Sequence, residues 1–185
     1  MSWVEPDGSR VNFKIVYYGP ALAGKTANLR HIHDATPEVD RAKLTSPASD
    51  VDRHILFDLS PRTCDMFEGL PCRLHLHAAP GAIFHARSKL AVLDEADGIV
   101  FVADSQSWQS DANVESLEEL RSNLMLHGQP LESLPLVLQR GTAATESSDG
   151  RVAAHQHVGE PAGPPDLVGA ALLALPFPPP ADAGA

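Results

Sequence analysis

Lysine is scarce in this chain: Lys14, Lys25, Lys43 and Lys89 are the only four in 185 residues. With a formal net charge of −10 and no basic cluster, a surface that grips a nucleic-acid backbone is excluded, because such binding rests on neutralising many phosphates. Cysteine is scarcer still. Cys64 and Cys72 are too few for a disulfide scaffold and have no metal-ligand companions at the usual spacing, so they read as thiols of a reducing compartment. No run approaches the roughly 18 apolar residues of a membrane span. Met1 to Arg10 is polar and holds no apolar signal segment, so the cytoplasm is the expected location.

What is present suits one α/β domain, since 185 residues allow one sizeable core and are short for two. Val11 to Tyr18 is rich in β-branched and aromatic residues, Gly19 ends it, and Lys25 to His33 has helical character. Arg41 to Asp52 is polar and loop-like. His54 to Ser60 and Cys72 to Ala78 alternate with period two, as an antiparallel pair with one solvated face would. Ile99 to Ala103 and Leu134 to Leu138 are continuous apolar runs, which a parallel sheet covered on both faces requires. Between them Asp111 to His127 reads as a helix, with Val114, Leu117, Leu120 and Leu124 on its period and Gly128 to stop it. The expected fold is a mostly parallel sheet flanked by helices. Its domain spans residues 1–175 and degenerates after about 140. Within that stretch Arg151 to Val158 is a candidate last strand and Asp166 to Leu175 a candidate short helix. Residues 176–185 form a proline-rich tail expected to be disordered.

The segment Gly19-Pro20-Ala21-Leu22-Ala23-Gly24-Lys25-Thr26 carries the chemistry. Its glycines let the backbone wrap an anion, so that N–H groups from Ala21 through Ala27 and the helix N-terminus face phosphates. Lys25 would reach the β and γ phosphates and the Thr26 hydroxyl would sit on Mg²⁺. Gly81, in a Pro-Gly directly after the third strand, is a candidate sensor of the γ-phosphate; a plain turn is the competing reading. Arg53 could neutralise charge during phosphoryl transfer or be a strand-edge arginine with no role in catalysis. Asp104 reads either as a metal-side carboxylate or as a capping residue. The spaced pairs His31/His33, His75/His77 and His155/His157 carry little weight as metal ligands, because strand spacing alone places such pairs on one face.

In KIVYYGPALAGKT, DRHILFDLSP, RLHLHAAPG and DGIVFVADSQ the chain resembles the MglA family of bacterial Ras-like GTPases, from about Val11 to Gln139. The resemblance implies a P-loop domain that switches between GTP and GDP, with Mg²⁺, in gliding motility and cell polarity. It also implies placement at a cell pole and a roadblock-type, MglB-like regulator on the switch face. Arg53 occupies the position of the family's own catalytic arginine, and Asp58 matches the interswitch pattern.

Four positions depart from that pattern. His54 stands where threonine is usual, and Ala82 where a glutamine orients the attacking water. Gly141-Thr142-Ala143-Ala144 replaces the guanine-reading Asn-Lys-x-Asp, and the region beyond is shortened and proline-rich. Phosphate binding is expected to survive, with slow or impaired hydrolysis and weak discrimination between guanine and adenine. The rival reading is a pseudo-GTPase that acts as a protein-interaction module. A P-loop kinase ranks third, because the antiparallel pair followed by Pro-Gly suits a switch protein.

Overall fold

The computed structural model describes residues 3–45, 55–60, 70–81 and 86–141. The chain runs β1 (Trp3–Val4), β2 (Val11–Tyr18), α1 (Lys25–Ala35), β3 (Ile55–Leu59), β4 (Cys72–Ala78), α2 (Ala86–Leu93), β5 (Gly98–Asp104), α3 (Ser110–Leu126) and β6 (Leu136–Gly141). The strands form one sheet in the order β3-β4-β2-β5-β6, with β1 paired to β2. Pairings β2–β4, β2–β5 and β5–β6 are parallel, whereas β3–β4 and β1–β2 are antiparallel. This is the mostly parallel, helix-flanked sheet of a P-loop α/β domain, with β2 at the point where successive connections leave in opposite directions.

The central strands are apolar without interruption because both of their faces are covered. On β2, Val11, Phe13, Ile15 and Tyr17 pack with Leu29 and Ile32 of α1, while Val16 and Tyr18 pack with Val92, Leu93, Leu120 and Leu124 of α2 and α3. β5 divides the same way, Val100 and Val102 to the α1 side and Ile99 and Phe101 to the other. β4 instead alternates, burying Cys72, Leu74, Leu76 and Ala78 and leaving Arg73, His75 and His77 half-buried. That second face is knit together rather than merely solvated. His75 places its ring nitrogens 2.7 Å from Asp58 Oδ1 and 3.0 Å from Asn12 Oδ1, and Arg73 lies 3.5 Å from Glu5.

Several expectations are corrected. In α3 the inward row is Ser116, Leu120 and Leu124, spaced by four, while Val114 and Leu117 are exposed. Val114 stands roughly 200° around the helix from Ser116, so the two cannot share a face. The polar stretch after Arg41 is not a free loop where it is described. Arg41 bridges to Leu59 and Thr45 to Leu56, alongside β3. Two elements had no forecast: β1, only two residues long, and α2, whose buried set is Lys89, Val92 and Leu93. The stop of α3 at Gly128 is as expected. Gly128 N–H bonds the Met125 carbonyl and Gln129 N–H the Leu124 carbonyl, the paired bonds of a Schellman end.

No helix among the described residues is long and apolar enough to cross a membrane. Arg53, His54, Cys64, Ala82, Thr142 to Ala144, His155, His157, the candidate elements within 151–175 and the tail 176–185 lie outside the described residues.

Candidate nucleotide site

The phosphate loop sits at the carboxyl end of β2, where its backbone is squeezed by its neighbours. Gly19 has φ +143°, and a side chain there would overlap the Val102 carbonyl oxygen of β5, so only glycine lets the loop leave the strand this way. α1 then begins at Lys25 with no side-chain cap and no acidic residue in its first turn. The N–H groups of Lys25, Thr26 and Ala27 therefore have no intrahelical partner and stand at the positive end of the helix, a ready anion site. Leu22, on the crest of the loop, takes φ 63° and is 83% exposed. That left-handed conformation costs about 1–2 kcal/mol for a residue with a branched side chain, and burial of the side chain does not offset it.

Lys25 is only 6% exposed, and its Nζ donates to the carbonyls of Gly19 (2.8 Å) and Pro20 (2.6 Å). Burial, helped by repulsion from Lys89, pushes its pKa down to about 8. No carboxylate among the described residues pairs with it. A buried ammonium held by two neutral carbonyls lacks a counter-charge, and phosphate oxygens in the loop would supply one. The residues present thus fit a nucleotide's phosphates. Thr26 is exposed in the first helical turn, where its hydroxyl could join Mg²⁺ bound to those phosphates. Among the described residues, no group of three or more His, Cys, Asp or Glu side chains could hold a metal ion.

Gly81 is brought to the same place. A β-carbon built on it would lie 2.6 Å from Ala21 Cα and 3.0 Å from Lys25 Nζ, so its backbone rests directly against the loop. Gly141, the last residue of β6, packs as closely on the other side. A β-carbon there would overlap the Ala23 carbonyl oxygen and come 2.9 Å from Val102 Cγ1. Any side chain at this position has no room unless the loop moves. Gly141→Ala is accordingly expected to displace Ala23 and weaken nucleotide binding at least about tenfold, the scale of a disturbed close contact. Titration of a fluorescent GDP analogue tests this, and an unchanged affinity would show that the loop tolerates the intrusion.

Two features of the site had no forecast. Asn28 Nδ2 donates to the Gly24 carbonyl at 3.1 Å, and Gln139 Nε2 donates to Asn28 Oδ1 at 2.7 Å, which ties β6 to the loop through two buried amides. Lys89, 3% exposed, is chelated by both oxygens of Glu119 (2.9 and 2.6 Å) and lies 5.9 Å from the Tyr18 ring centre. It is a second cation near Lys25, whose only sequence signal was its rarity. Asp104 was expected either as a metal-side carboxylate or as a cap. Its Oδ1 accepts the Gln106 N–H at 3.0 Å, which gives this oxygen the capping role; its backbone N–H and carbonyl are both bonded by the Asn113 side chain. The paired tyrosines diverge: Tyr18 hydroxyl meets Asn123 at 3.2 Å, and the Tyr17 hydroxyl is buried without a partner. Arg53 cannot be placed against these groups, since it falls outside the described residues.

No protein-family model matches the chain. Over 139 residues it is 42% identical to the mutual gliding-motility protein MglA of Myxococcus xanthus (strain DK1622), an overlap covering 75% of this chain and 71% of that protein. A P-loop whose lysine awaits an anion, a helix-flanked parallel sheet and this degree of identity converge on one conclusion: the chain belongs to the MglA family of small GTPases.

Proposed function

We propose that the protein is a Mg²⁺-dependent GTP/GDP switch acting in cell polarity or motility, with slow or impaired hydrolysis. The observation that carries this reading is the buried Lys25 ammonium, without a counter-charge among the described residues and set between uncapped helix N–H groups and the backbone of Gly81. In this reading Lys25 neutralises the β and γ phosphates, and the N–H groups from Ala21 through Ala27 hold their oxygens. Gly81, resting on Ala21, moves aside or closes in according to whether a γ-phosphate is present. Bound Mg²⁺ would supply charge neutralisation across the phosphates, with Thr26 as its protein ligand. A roadblock-type, MglB-like regulator is the proposed partner on the switch face, and a cytoplasmic location with recruitment to a cell pole is the proposed setting.

The nucleotide content of the purified protein tests the switch directly. Co-purified GDP or GTP supports it; protein that is empty and binds neither in Mg²⁺ favours the pseudo-GTPase reading. The close packing of Gly141 on Ala23 gives that second reading its one structural support, because any side chain at that position is sterically shut out.

The pKa of Lys25 adds a signature. Without an anion it sits at about 8, below its usual 10.5, and phosphates must raise it. Above pH 8 binding therefore takes up a proton. Affinity should hold steady from pH 7 to 8 and then fall by up to about tenfold per unit towards pH 9. Calorimetric titration with GDP in buffers of that range measures it. A flat profile would mean that Lys25 does not face the phosphates.

A further inference from the structure

The strand that pairs with β6 ends in a buried carboxylate, Asp104. Asp104 closes β5, is 4% exposed, and its Oδ2 is buried with no hydrogen-bond partner among the described residues. The residue is otherwise fixed on every side. Asn113 holds its backbone at both ends (2.8 Å each), and Gln106 N–H holds Oδ1. One carboxylate oxygen is thus left over in a defined position. A buried oxygen of this kind is costly unless a donor reaches it.

Its place in the fold indicates where that donor would come from. Asp104 is in register with Gly141, and Ser105 N–H bonds the Gly141 carbonyl at 2.9 Å. Alternation along β5 puts Asp104 on the same face as Val102, which packs with Ala23 and lies beside the β-carbon position of Gly141. Asp104 therefore stands on the phosphate-loop side of the sheet, at the carboxyl edge, next to the residue where the base-reading motif of the family begins. Resting on the switch reading above, the geometry points to Asp104 as the specificity-determining residue of this chain: Oδ2 accepts a hydrogen bond from the N–H edge of a purine base such as guanine. The expectation of weak discrimination assumed that the carboxylate had to come from residues 141–144; here it is supplied from β5.

The fixed Oδ1 makes the test sharp. In Asp104→Asn the amide oxygen must stay on Gln106 N–H, so its NH₂ takes the place of Oδ2 and an acceptor becomes a donor. The contact that discriminates is at the 2-position, where guanine offers an amino N–H and xanthine a carbonyl, N1–H being common to both. The affinities of the full-length wild type and Asp104→Asn for GTP, xanthosine triphosphate and inorganic pyrophosphate are measured in Mg²⁺. Wild type is expected to prefer GTP. The variant should bind GTP roughly ten- to a hundredfold more weakly, as loss of a charged hydrogen bond implies; it should bind the xanthine nucleotide more tightly and pyrophosphate unchanged. An equal GTP-to-xanthine ratio in both proteins would overturn the assignment. So would a wild type that binds the two nucleotides alike, a result that stands even if the variant fails to fold. Wild-type protein that binds neither nucleotides nor pyrophosphate would instead overturn the switch reading, and this inference with it.

Discussion

Lys25→Ala is expected to lower affinity for GTP and GDP by roughly 10²- to 10⁴-fold, on the basis of two charge-assisted bonds to phosphate at about 1.5–3 kcal/mol each. The case rests on the state of the lysine before any nucleotide arrives. Its Nζ is buried and, among the described residues, satisfied only by the Gly19 and Pro20 carbonyls, and burial has already pushed its pKa to about 8. Holding such an ammonium in place costs free energy, and binding the phosphates recovers it. Lys25→Met, which keeps most of the buried stem, separates binding from folding. It should lose affinity as Lys25→Ala does and melt no lower than wild type, because the desolvated charge is gone. Equal nucleotide affinity in wild type and both variants would leave the phosphate-loop reading without its main support.

How far the sequence disclosed this site depends on how local each signal is. The strand, loop and helix from Val11 to Ala35 are specified by adjacent residues, so phosphate-loop geometry was legible from the motif alone. The same holds for Gly81, fixed by its distance from the end of β4, and for the Gly128 helix stop. Groups assembled across strands were not legible. Asp104 meets Gly141 only because β5 and β6 pair in register, and Gln139 reaches Asn28 from a strand 111 residues away in the chain. No periodicity reports such a contact. Val114 and Leu117 failed for another reason. Their helical spacing is real, but the inward face of α3 is set by the row through Ser116, and a polar residue in that row hides the stripe. Lys89 was counted only as a lysine, and its burial against Glu119 depends on how α2 and α3 pack.

In the hydrolysis reaction two residues of this chain oppose each other. Arg53, the position to which the resemblance assigns a catalytic arginine, is proposed to stabilise charge on the γ-phosphate, and such an arginine is worth roughly 10³ to 10⁵ in rate. That gain is realised only when the attacking water is held in line. The residue after Gly81 is Ala82, whose methyl group offers neither donor nor acceptor. Gly81 itself rests on Ala21 beside Lys25, so a longer polar group at the next position is tested by substitution. We therefore expect turnover near the uncatalysed background in wild type, even with a roadblock-type partner present. Ala82→Gln should raise it, and Ala82→Gln combined with Arg53→Ala should abolish the increase. Single-turnover release of phosphate from bound GTP, compared in the three proteins, decides the matter. Wild type as fast as Ala82→Gln would mean that some other group positions the water. If Ala82→Gln gains nothing, the defect lies with His54 or with the altered base-reading segment that begins at Gly141, and the pseudo-GTPase reading becomes the better account.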